Sequence, residues 1–200
     1  GKLLGLSYGT GEVYLLLEDE VDGVHQGGLV PLPIETPTGT MRGRFHPDGS
    51  LYLSGLFGWS SDKTEPGGFY RVRKTAATLP YPLHLRALTD GLRITFNEPI
   101  TTDVAALAAG FQLEGWNYRW SSNYGSPKLD LEAGEVGTTE LEVVSATLSD
   151  DGKQVRLVIP DMKPAMQMHL KWALQFDEIG AAESFIHFTV HQLAKVREGQ

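Results

Sequence analysis

The stretch Met41-Arg42-Gly43-Arg44-Phe45-His46-Pro47-Asp48-Gly49-Ser50-Leu51-Tyr52-Leu53-Ser54-Gly55-Leu56-Phe57 decides the fold class. Leu51, Leu53 and Gly55 alternate with Tyr52, Ser54 and Leu56, the period of two that puts successive side chains on opposite faces of a strand. Pro47-Asp48-Gly49 interrupts the run, and Asp-Gly supplies the positive backbone φ that a tight hairpin requires. Two antiparallel strands, Met41 to His46 and Leu51 to Phe57, are therefore expected.

The same punctuation recurs on both sides. Leu3 to Tyr8 and Val13 to Leu17 flank Gly9-Thr10-Gly11, and Gly28 to Leu32 reads as a strand that Pro31 and Pro33, which cannot donate to a ladder, confine to an edge or a strand end. A polar loop, Ser60 to Gly68, leads to the strand Phe69 to Arg73. Residues 1–74 thus offer about six strands in sequential hairpins. Ala76 to Pro82, with two prolines and no periodicity, suits a linker and places a boundary between units 1–78 and 79–200.

Beyond the linker, Leu83 to Leu88 and Leu92 to Phe96 bracket Asp90-Gly91. Thr102 to Ala109 is the single helical stretch, capped by Thr or Asp and ended by Gly110. Phe111 to Trp120, Leu141 to Leu148, Val155 to Ile159, Met166 to Phe176 and Phe185 to Leu193 complete the set. The expected fold is all-β: a small antiparallel sheet like a propeller blade, then an immunoglobulin-like sandwich with one short helix.

Composition narrows the function classes. A net charge of -8 argues against nucleic acid, which is held chiefly by Lys and Arg on phosphates. The 200 residues include no cysteine, which removes thiol catalysis, zinc-thiolate sites and covalent haem attachment. No apolar run approaches the roughly 20 residues of a membrane helix, so no membrane insertion is expected. Gly1 followed directly by an apolar strand reads as a start inside a longer protein.

Three constellations carry candidate chemistry. Trp116, Tyr118 and Trp120 would share a strand face and present an aromatic ladder to a sugar ring, with Asn117, Arg119, Asn123 and Tyr124 supplying hydrogen bonds. The same spacing also suits a sandwich core or an interdomain anchor. Arg42 and Arg44, with His46 on the same face, offer guanidinium forks to carboxylates or quinone oxygens, or else a solvated strand face; His25 sits among loop glycines. His187 with His191, and Met166 with Met168, have donors that suit copper. Strand positions i and i+4 lie about 13 Å apart, however, so no metal site and no catalytic residue is assigned.

Tyr8-Gly9-Thr10-Gly11-Glu12-Val13-Tyr14, Gly27-Gly28-Leu29-Val30-Pro31-Leu32-Pro33 and Thr38-Gly39-Thr40-Met41-Arg42-Gly43-Arg44-Phe45 resemble the propeller end of large secreted bacterial proteins of the sorbosone-dehydrogenase-like type. These are often described as haem-binding or membrane-bound dehydrogenases. Trp116 to Pro127 and Met166-Gln167-Met168-His169 look like motifs of the domain that follows, and Phe96-Asn97-Glu98-Pro99 resembles a run in bacterial immunoglobulin-like modules. The resemblance implies an extracytoplasmic (periplasmic or secreted) location, a catalytic or cofactor-bearing propeller upstream and, in many members, a cytochrome c module downstream. It also implies that a quinone or haem c cofactor is held elsewhere in the parent protein and none in this chain. Under it, the chain is a non-catalytic accessory region that binds polysaccharide or sugar, or organises other domains of the parent chain. The alternative is a piece of a quinone- or haem-dependent sugar dehydrogenase, with His25, Arg42 and Arg44 completing its cofactor site. Six strands are too few to close a propeller ring.

Overall fold

The computed structural model describes residues 2–196, so Gly1, the expected internal start, lies outside the described residues. The chain is all-β and its sheets are antiparallel. Its strands are β1 (Leu4–Leu6), β2 (Glu12–Val21), β3 (Val24–Glu35), β4 (Gly39–Phe45), β5 (Leu51–Leu56), β6 (Gly67–Val72), β7 (Pro82–Leu88) and β8 (Gly91–Phe96). After helix α1 (Val104–Leu107) and a 3-10 turn (Ala108–Gly110) come β9 (Phe111–Trp116), β10 (Thr139–Leu141), β11 (Ser145–Leu148), β12 (Gln154–Val158), β13 (Ala165–Phe176) and β14 (Gly180–Val190). Among the described residues no helix is long and apolar enough to cross a membrane.

Two compact units form, and they are not simply consecutive in sequence. The first comprises Gly1–Leu16 and Leu29–Thr78; the second comprises Leu17–Gly28 and Leu79–Gln200. Hairpin β2–β3 is longer than the pattern Val13 to Leu17 and Gly28 to Leu32 suggests. Its turn is Asp22-Gly23, with φ of 49° and 83°, the pair of positive values that a two-residue loop needs to match strand twist. His25 therefore lies on β3 and not in a glycine loop.

In the first unit β4, β5 and β6 form a three-stranded sheet in the order β4-β5-β6. Inward-facing Leu51 and Leu53 of β5 pack with Val13, and Leu4, Leu6, Leu32, Ile34, Tyr70 and Val72 close around them. Three threonines are buried beside this core. The Thr36 and Thr40 hydroxyls lie 2.7 Å apart and the Thr36 hydroxyl donates to the Thr38 carbonyl at 2.7 Å, which satisfies those two, whereas the buried Thr38 hydroxyl has no hydrogen-bond partner among the described residues. Composition alone would put such side chains outside.

In the second unit β11, β12, β8 and β7 make one sheet, and the first part of β3, up to Gly28, with β14, β13, β9 and β10 run side by side in another. Phe96 of β8 meets Trp172 and Phe176 of β13 at 5.4 Å each, so the inner faces of the two sheets share one apolar layer. Asp103 caps α1 by accepting from the Ala105 N–H at 2.8 Å, and Leu107 is the helix residue buried. The expected single strand Leu141 to Leu148 is two strands in different sheets. Leu141 ends β10 beside β9, and Ser145 opens β11 beside β12, so residues 142–144 carry the chain from one layer to the other.

Candidate functional site

The aromatic ladder does not form. Strand β9 stops at Trp116, because its partner β13 pairs with it only as far as Gln167 and then bulges between Ala165 and Met168. Beyond that point the Asn117 side chain accepts from the Met166 N–H at 2.9 Å, and the Tyr118 N–H donates to the Met166 thioether at 3.2 Å. Trp116 is 3% exposed, Tyr118 41% and Trp120 100%. The three rings thus take three different environments.

Residues 117–128 form a loop with a pinned base. Asn117 and Leu129 exchange backbone hydrogen bonds at 2.7 and 2.9 Å, and the Arg119 N–H donates to the Ser126 Oγ at 2.8 Å. The loop holds out Trp120 and Tyr124, which is 99% exposed, together with the exposed Arg119 and Asn123. Trp116 stays at the base, its ring under the Lys128 ammonium at 3.8 Å and edge-on to His187 at 6.5 Å.

A second cluster lies on the outward face of the neighbouring strands. Glu114, His169 and His187 stand in register across β9, β13 and β14. The two imidazoles stack at 4.3 Å, Phe185 meets each edge-on, and His169 Nδ1 lies 3.3 Å from the Glu114 carboxylate. Sequence spacing draws attention to His187 with His191 and misses this pair, because cross-strand register is set by turns far from either residue. Parallel rings do not aim their lone pairs at one point. Among the described residues no group of three His, Asp or Glu is arranged to hold a metal ion. Met166 and Met168, expected on one face, are separated by the bulge: Met166 is exposed and Met168 fully buried.

Burial, with the charges of His169 and Lys128, lowers the His187 pKa below its ordinary value, although Glu114 opposes this. At Glu114 burial acts upward, but hydrogen bonds from Thr138 and His169 and the charge of Lys128 outweigh it and leave the carboxyl low. A histidine with a depressed folded pKa takes up a proton more readily when unfolded, so its contribution is intact above pH about 6.5 and is lost as pH falls through the folded value. The urea midpoint of the second unit is expected to fall between pH 7.5 and 5, with a shallower fall in His187→Asn. Parallel pH profiles in the two proteins would remove His187 as the cause.

Arg42 and Arg44 share the outward face of β4, with Tyr52 and Ser54 opposite them on β5. His25 belongs to the second unit, on the part of β3 that precedes Leu29, and is exposed. The trio named for a cofactor site is thus divided between two units. Scans against protein-family models, curated proteins and solved structures found no match to this chain.

Proposed function

We propose that this chain is a non-catalytic accessory module that binds glycan through residues 117–128, within a secreted, carbohydrate-oxidising multidomain protein. In this reading the second unit is an immunoglobulin-like sandwich and sheet β4-β5-β6 a blade-like companion. The observation that carries it is the exposure of Trp120 and Tyr124 on a loop whose base is closed by hydrogen bonds. Rings of this size offer roughly 150–250 Å² each, and their faces favour the C–H side of a pyranose. A fixed base lowers the ordering cost when a ligand docks. Arg119 and Asn123 lie on the same loop as hydrogen-bonding groups for sugar hydroxyls. The parent protein, its secretion and its oxidative chemistry rest on the sequence resemblance.

Affinity electrophoresis through gels of neutral polysaccharides tests the proposal. The parent chain is expected to be retarded by at least one of them, and Trp120→Ala with Tyr124→Ala to weaken that retention roughly tenfold or more, as truncated aromatic anchors do. Their thermal transition is expected to stay put, because neither ring is buried. Equal retention of the double variant, or no retention in any gel, would sink the proposal.

A further inference from the structure

We infer that the outward face of β4, β5 and β6 is a subsite for an acidic saccharide, a uronate ring whose carboxylate is held by Arg42 and Arg44. This does not rest on the loop 117–128, which belongs to the other unit. Register places the residues in two rows: Arg42, Ser54 and Phe69 in one, and Arg44, Tyr52 and Arg71 in the next. Tyr52 and Phe69 stack at 5.5 Å with a 25° tilt, and Phe69 remains 72% exposed. Beside them Arg42, Arg44, Ser54 and His46 line an open depression of about 300 Å³.

Charge selects the occupant. The chain carries 25 acidic and 17 basic residues, yet among the described residues neither Arg42 nor Arg44 has a carboxylate within 4 Å. The near carboxylate, Asp48, is taken by Arg71 at 2.8 Å and by His46 at 3.1 Å. Two guanidinium groups two residues apart on one strand stand roughly 7 Å apart and repel each other, so an anion between them relieves the repulsion and accepts planar forks. The Ser54 hydroxyl, between Arg42 and Phe69, makes no hydrogen bond among the described residues and is available to a ring hydroxyl. The volume is at the low end of the roughly 300–1,000 Å³ of ligand sites, which suits one saturated ring against Phe69 better than an extended polycyclic cofactor.

Calorimetric titration of the whole chain with oligogalacturonate, and with its methyl ester, is the test. Binding is expected to the acid, about tenfold weaker or worse to the ester, and to fall steeply with salt. Arg42→Ala with Arg44→Ala is expected to cost about tenfold to a hundredfold, the range for charge-assisted hydrogen bonds, and Arg42→Lys with Arg44→Lys less. Both pairs keep the parent melting transition, since these side chains are exposed. Phe69→Ala weakens binding to the acid as well. The titration is run in Trp120→Ala with Tyr124→Ala, which lacks the exposed rings of loop 117–128, so failure here is separate from failure of the loop proposal. Equal binding of acid and ester, no binding, or an alanine pair that binds like the parent chain overturns the inference. So does binding that Phe69→Ala leaves intact, which marks a bare anion site, or self-association that the alanine pair abolishes, which marks an interface between copies.

Discussion

Phe96→Ala is expected to cost about 3–5 kcal/mol of stability in the second unit, the usual range for removing a buried aromatic ring. Phe96 has no exposed surface, and its ring sits against Trp172 at 85° and Phe176 at 56°, both centroids 5.4 Å away. Trp172 and Phe176 also meet each other at 5.7 Å, so deleting the central ring strips two others of their edge contacts. The space cannot refill easily, because Leu92, Ile94 and Leu170 nearby in the layer are themselves fully buried. Urea unfolding followed by circular dichroism reads the loss, with Trp120→Ala as a control expected to fall within ~0.5 kcal/mol of the parent. A loss below about 1 kcal/mol for Phe96→Ala would mean that the two sheets do not share a packed layer as described.

Gly55→Ala is expected to unseat β4. A β-carbon at Gly55 would lie 1.9 Å from the Gly39 carbonyl oxygen and 2.7 Å from the Thr38 hydroxyl, and the first of these is backbone that cannot rotate away. The strands must separate where Thr40 opposes Gly55, next to the irregular register that carries Arg42. Overpacking of this kind costs about 1–3 kcal/mol. Hydrogen exchange is the direct measurement: amides of β4 and β5 should lose protection while those of β13 and β14 keep theirs. Unchanged protection in β4 would show that the strands tolerate the methyl group and that the close approach is not structural.

Local patterning made the strands legible. Alternation in Leu51 to Leu56, the Asp48-Gly49 turn and the capped turn at Asp103 are short-range signals, and each appears in the structure where the spacing puts it. What was illegible depended on partners distant in sequence. Trp116 and Trp120 read alike along the chain, and only the bulge in β13, some fifty residues on, decides that one is buried and the other bare. The stacked His169 and His187 are likewise products of register. Strand β2 runs beyond Val13 to Leu17 through the charged run Glu18-Asp19-Glu20, which alternation of apolar residues cannot mark as strand. In the structure Asp19 is nearly buried and ion-paired to Arg86 at 3.0 Å, so the strand continues through it.

The division of hairpin β2–β3 between the units bears on any attempt to dissect the protein. The backbone passes from one unit to the other three times, at Leu16–Leu17, Gly28–Leu29 and Thr78–Leu79. A gene truncated to residues 79–200 would therefore encode a second unit lacking β3, which lies beside β14, and lacking Val21, which packs with Leu88 and Ala194. Such a fragment would expose a long unpaired strand edge and tend to aggregate. A protease nick in the irregular segment 73–81 is expected to have a different outcome: the severed pieces stay together, because Val21 of the amino-terminal one packs with Leu88 and Ala194 and Asp19 pairs with Arg86 of the carboxy-terminal one.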